Sequence, residues 1–213
     1  LSKFDIVVIS SPTETHFKYL SLCMDVEIPV VICEKPVANK IAEIELLEKM
    51  YLKSKSNVMV NYFRNFQPKN HGIKSKVKEI SSKETCQTIT VEYQRGLHNN
   101  ASHAIKFLEY LFDIKAIFSN ALVIRKSYDE FDSDPTSTVA SQLGVAKLYL
   151  IGLPDVKFSL LNINIFFEKT VIRLFDAGDT VEFYTSETVE HQEHYQHLSL
   201  TDRIENINSH PML

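Results

Sequence analysis

Between residues 5 and 62, three short apolar runs alternate with two stretches of helical periodicity, and no other feature of the chain restricts its fold as much. Residues 5–10 (DIVVIS), 28–33 (IPVVIC) and 57–62 (NVMVNY) are rich in β-branched side chains, the composition of buried parallel strands. Between them, residues 14–24 put Phe17, Leu20 and Met24 on one helical face. A second helix follows Asn39, a candidate N-cap, and carries Ile41, Ile44, Leu47 and Tyr51 inward. Strand–helix–strand–helix–strand requires right-handed crossovers and a parallel sheet. The expectation is half of a doubly wound domain.

The second run ends in Glu34-Lys35-Pro36. Proline cannot donate to a sheet ladder, so the strand stops there. In open α/β sheets, ligands bind just past the carboxyl ends of the strands. Two opposite charges therefore stand where a ligand is expected, although an isolated Glu-Lys pair reads better as a solvated strand end.

After residue 62 the pattern changes. Residues 64–68 (RNFQP) lead into a polar helix over 69–79, a strand over 85–94 and a loop over 96–100. A helix over 101–112 turns Ile105, Leu108, Leu111 and Phe112 inward. Strand patterns then follow at 116–126, 138–150, 158–167, 170–175 and 180–184, with Asp176-Ala177-Gly178-Asp179 as a hairpin turn between the last two. Consecutive strands without helices argue for antiparallel pairing. The fold class is thus α/β plus α+β: a partial doubly wound, Rossmann-like parallel sheet (1–62), then a mostly antiparallel open-sheet domain with helices on one face (63–213).

Composition excludes several classes. The 213 residues are 44% hydrophobic and 23% charged, ordinary globular material. A net charge of −4 leaves no basic footprint for nucleic acid. No apolar run reaches the roughly 20 residues of a membrane span. Cys23, Cys33 and Cys86 match no zinc or redox spacing, which points to a reducing, cytoplasmic setting with Cys33 as packing. The chain opens at Leu1 and is in a strand by Asp5, which leaves no room for a signal peptide and reads as a piece of something longer. His191, His194 and His197, with Glu193 between them, have ligand spacing. The run 186–197 is polar throughout, however, so it is expected to be solvated and no metal site is assigned.

The order SPTETH after the first strand, EKPVA after the second, NYFRNFQP at the third and SHAIKFLEYLF beyond resembles the Gfo/Idh/MocA oxidoreductases over residues 5–184. The resemblance implies NAD or NADP as cofactor and a sugar, inositol or nucleotide-linked sugar as substrate. It implies that Ser11, Pro12 and His16 lie along the cofactor. Glu34 and Lys35 would stand beside the nicotinamide, with Lys35 on the reacting hydroxyl, and Pro36 is often cis in relatives. His103 would be the general base or a substrate ligand, and Arg95, His98 and Asn99 would face the substrate. A homo-oligomer paired through the antiparallel sheet is also implied, with no nucleic acid or membrane partner. The residue types suit the chemistry. An imidazole, ordinarily titrating near about 6.5, can accept a hydroxyl proton. A lysine beside the same oxygen stabilises the developing alkoxide.

Three departures stand against this. The G-x-G-x-x-G turn is absent, and with it the helix N-terminus that holds a pyrophosphate. Asn99 stands where many relatives carry an aspartate four residues before the histidine, and Lys106 where they carry one three residues after it. Two expectations therefore go forward. One is an NAD(P)-dependent dehydrogenase in which Lys35 and His103 carry proton transfer. The other is a non-catalytic sugar-binding or oligomerisation module that binds no dinucleotide.

Overall fold

The computed structural model describes residues 4–207, apart from residues 130, 133, 159, 190 and 191. The chain forms two compact units, Leu1–Phe63 and Arg64–Leu213. In the first, strands β1 (Ile6–Ile9), β2 (Val30–Glu34) and β3 (Asn57–Asn61) pair in parallel in that order. The crossovers are α1 (His16–Asp25) and α2 (Ile41–Tyr51). Ile9, Val31 and Cys33 pack with Leu20, Cys23, Met24 and Leu47 into one apolar cluster. Alternate residues do not share this enclosure, for Ile6 and Val8 remain 58% and 62% exposed.

The second helix departs from expectation in two ways. Lys40 is still extended (φ −124, ψ 138) and occupies the capping position, so Asn39 lies one residue too early to cap. Of the face expected to turn inward, only Leu47 is enclosed, while Ile41 and Tyr51 stay 76% and 45% exposed. Only the turn around Leu47 reaches the cluster.

The second unit opens with α3 (Pro68–Ser81) and β4 (Thr88–Tyr93). A π-helical turn, Leu97–Ala101, runs directly into α4 (Ser102–Phe112). Seven strands follow: β5 (Ala116–Arg125), β6 (Thr138–Leu143), β7 (Ala146–Gly152), β8 (Leu161–Phe166), β9 (Thr170–Phe175), β10 (Thr180–Val189) and β11 (Gln192–Ile204). They form one sheet with β4, in the order β11-β10-β9-β8-β4-β7-β6-β5. Alternate residues of β4 (Ile89, Val91, Tyr93), β7 (Leu148, Leu150) and β8 (Ile163, Ile165) join Ile73 and Val77 of α3 and Phe107, Leu108 and Leu111 of α4 in the main core. That alternation places one sheet face against the two helices. On α4, Ala104 and Phe107 take buried places that the spacing had given to Ile105 and Phe112, which are partly buried at its margin.

One stretch differs from its sequence reading, and another takes a regular structure that the sequence did not mark. Residues 138–150 form a hairpin, not one strand, because Gly144 takes a positive φ of 58° at the turn. The buried positions change parity there, from Val139 and Leu143 to Ala146, Leu148 and Leu150, a shift that the apolar residues on both sides hide in the sequence. The polar run 186–197 lies largely in the β10–β11 ladder. A strand at the end of a sheet is held by its backbone bonds and needs little apolar surface. Of the histidine run, His191 lies outside the described residues, as does the side chain of His194. Among the described residues no group of three or more metal-binding side chains occurs.

Every pairing in the large sheet is antiparallel except β4 with β7. This one parallel pair decides where loops gather. Tyr93, at the carboxyl end of β4, lies opposite Gly152, at the carboxyl end of β7, and opposite Leu161, at the amino end of β8. The amino end of β6 meets the same end of β7. Segments 94–101, 126–137 and 153–160 therefore converge at one end of the sheet.

Candidate functional site

In the first unit, the parallel register brings the segments after β1, β2 and β3 to one edge of the sheet. Glu34 closes β2 opposite Asn61, whose Nδ2 donates to the Glu34 carboxylate at 2.5 Å. Lys35 follows, half-buried, and the Lys35–Pro36 peptide is cis. His16 opens α1 and is only 1% exposed. Its Nδ1 lies 2.7 Å from the Pro36 carbonyl oxygen, and its Nε2 lies 2.7 Å from that of Ser11. Both oxygens are acceptors, and a neutral ring donates to only one of them. The enclosed imidazole thus ties the segment after β1 to the segment after β2. Thr15, missed in the sequence, fastens the same turn: its Oγ1 donates to the Pro12 carbonyl at 2.7 Å and lies 2.6 Å from Ser11 Oγ. Burial, with Glu34 and Cys23 nearby, pushes the Cys33 thiol up to about 11. That agrees with a packing role, since a nucleophile needs the thiolate.

In the second unit the convergence of loops is tight. Tyr93 is fully buried, and its Oη donates to the Ser137 carbonyl at 2.6 Å and accepts from the Ser137 amide at 2.8 Å. Burial raises the phenol well above its ordinary value. A Cβ on Gly152 would lie 2.7 Å and 2.8 Å from the carbonyl oxygens of Thr136 and Ser137, so only glycine lets β7 pass there. The chain leaves β4 through two residues of positive φ, Arg95 (61°) and Gly96 (85°), and then enters the π-helical turn.

This geometry gathers Arg95, His98, Asn99 and His103 into one short segment. The Arg95 and His98 side chains are exposed, whereas Asn99 and His103 are half-buried. The Arg95 guanidinium lies 5.9 Å from the Phe131 ring centroid. Asn99 Nδ2 donates to the Arg95 carbonyl at 3.1 Å, and Ser102 Oγ donates to the His98 carbonyl at 2.6 Å. Lys106 pairs with Glu109 at 2.7 Å, so its charge is met on its own helix. An open cleft of about 540 Å³ beside this segment is lined by Arg95, Tyr128, Asp129, Pro154 and Lys157, among others. Asp129, Asp134 and Thr136 escaped the sequence reading, because they sit between strand patterns and meet the site only through the β4–β7 pairing.

Residues 1–62 match the model of a family described as an oxidoreductase family with an NAD-binding Rossmann fold, GFO_IDH_MocA. The match spans 62 of the chain's 213 residues. Among solved structures, an inositol dehydrogenase homolog from Azotobacter vinelandii, complexed with NADH and myo-inositol, superposes with a TM-score of 0.70 at 16% identity. The match covers 91% of this chain and 57% of that one. The UDP-N-acetylglucosamine 3-dehydrogenase of Acidithiobacillus ferrooxidans gives 0.65 at 15% identity, covering 94% of this chain and 65% of the other. A super-repressor mutant of Gal80p from Saccharomyces cerevisiae gives 0.71 at 15% identity, covering 94% and 62%. Likeness at this level shows a shared fold, and the chain spans less than two thirds of the length of each of these structures. A search among curated proteins gave no match.

The edge after β1, β2 and β3 offers Ser11, Glu34 and Lys35 on loops that His16 locks together. No glycine precedes Gly72, so the tight turn that seats a pyrophosphate is not among these residues.

Proposed function

We propose that this chain is part of an NAD(P)-dependent oxidoreductase that oxidises or reduces a hydroxyl-bearing carbon of a sugar, polyol or nucleotide-linked sugar. The observation that carries the reading is the Glu34-Lys35-Pro36 sequence at the carboxyl end of the middle strand of a parallel sheet matched to an NAD-binding family. The nicotinamide, when bound, accepts or returns the hydride. Ser11 and Pro12 line its approach, and His16 fixes the two loop ends that flank it. The Lys35 ammonium stabilises negative charge developing on the substrate oxygen. His103 takes the hydroxyl proton. Arg95, His98 and Asn99 hold further substrate hydroxyls. Asparagine serves there as donor and acceptor but takes no proton, so the assigned base is His103 alone. We place the protein in a reducing, cytoplasmic setting as a homo-oligomer paired through the large sheet.

Asn99 and Lys106, at positions where the resemblance leads one to expect carboxylates, favour a second reading, a sugar-binding or oligomerisation module without a dinucleotide. Calorimetric titration of the 213-residue chain with NAD⁺, NADH, NADP⁺ and NADPH separates the two. The dehydrogenase reading expects saturable heat from at least one of the four and affinity about tenfold weaker in Lys35→Ala. No heat from any of them would leave the module reading in its place.

A further inference from the structure

Five successive backbone amides, those of residues 95–99, point away from their own helix and are all filled by a single distant segment. The Arg95 amide donates to the Asp129 carboxylate at 2.6 Å, and the Gly96 amide donates to Thr136 Oγ1 at 2.8 Å. The Leu97 amide donates to the Pro135 carbonyl at 3.0 Å. The His98 and Asn99 amides go to the two oxygens of one carboxylate, Asp134 Oδ1 at 2.9 Å and Oδ2 at 2.7 Å. Thr136 Oγ1 in turn donates to Asp129 at 2.5 Å. Helical bonding begins only afterwards, with the amides of Asn100 and Ala101 on the Gly96 carbonyl.

From this geometry we infer that Asp134 is a positioning residue for the segment that presents Arg95, His98 and Asn99. That role in substrate binding rests on the proposed function, whereas the clamp itself does not. The first amides of a helix lack partners within it and carry partial positive charge. Here a carboxylate from a segment more than thirty residues away in sequence meets two of them at once. One rigid fork thereby fixes the orientation of two adjacent peptides. The sequence supports this at Gly96: a Cβ there would overlap the Asp134 carboxylate, so glycine is required for the fork to seat as well as for the turn. Asn99, where the Gfo/Idh/MocA resemblance leads one to expect an acid, has a carboxylate on its backbone instead.

Hydrogen–deuterium exchange on the full chain tests the inference. Asp134→Asn keeps the volume and one acceptor, so exchange is expected to rise about tenfold or more at one of the His98 and Asn99 amides, and at both in Asp134→Ala. Protection of Val91 and Tyr93 in β4 stays unchanged. Gly96→Ala reproduces the Asp134→Ala pattern by displacing the carboxylate. With NAD⁺ and myo-inositol as the probe pair, Asp134→Asn raises KM for myo-inositol and leaves KM for NAD⁺ where it was. Unaltered exchange at both amides in both Asp134 variants overturns the inference, as does an equal rise in the two KM values. Failure of the wild-type chain to bind any dinucleotide overturns the proposed function instead, and the exchange result still decides the role of Asp134.

Discussion

The three cysteines show how much an enclosed residue depends on the fold around it. Burial pushes Cys86 up to about 12 and Cys33 up to about 11, from an ordinary 9.0. The unfolded chain therefore releases these protons first as pH rises. The folded state holds its full advantage below about pH 9 and loses it progressively between about pH 9 and 12. Urea midpoints measured across that window should fall, and the fall should be shallower in Cys86→Ala. At this scale the sequence was partly legible. Glu34 and Lys35 stood out because a strand ends at Pro36. The partners of His16 did not, since Ser11 and Pro36 meet its ring only after the α1 crossover has brought the two loops together. Asp134 was hidden for the same reason: nothing local marks a carboxylate that caps amides on a distant segment.

Elements carry the next set of consequences, and two glycines make opposite predictions. Gly152 ends β7 against the carbonyls of Thr136 and Ser137. Backbone cannot yield as a side chain does, so Gly152→Ala is expected to destabilise by about 1–3 kcal/mol. Gly72 lies within α3 with nothing inside 4 Å of its missing Cβ, so Gly72→Ala should stabilise by about 0.5–1 kcal/mol. Urea denaturation of the two variants checks both signs. The elements themselves were well marked wherever periodicity changed, as in the βαβαβ run and in α4. They were poorly marked where it did not. Gly144 breaks residues 138–150 into two strands whose buried positions change parity, a shift that apolar residues on both sides mask, and past residue 185 the β10–β11 ladder is too polar to show a buried face.

For the whole molecule, alternation of strands and helices specified a parallel sheet, and successive strands specified an antiparallel one. The single parallel pair inside the second sheet was invisible, because no sequence signal says which strand a given strand will choose. The sheet face away from α3 and α4 carries a ladder of paired polar groups, with Asn164 on Thr90 at 3.2 Å and Asn162 on Glu92 at 3.2 Å. Arg173 lies 4.9 Å from the Tyr184 ring centroid on adjacent strands. If the chain pairs through this face, sedimentation velocity will give a dimer. Asn164→Arg, placing a charge on a strand in the middle of the sheet, will then return it to a monomer. A wild-type monomer at all concentrations would refute that mode of pairing.

The place of β4 in the sheet has a consequence for the order in which this protein can be made. Its two neighbours, β7 and β8, are both synthesised after it. In the first unit each strand pairs with the one just completed, so the ladder can grow as the polypeptide emerges from the ribosome. In the second, β4 and the apolar faces of α3 and α4 must wait unpaired until residues 146–166 have been translated. A nascent chain halted at Arg125 would expose its future core with no sheet to receive it, and would be a client for chaperones at a stage when the first unit has already closed its own ladder.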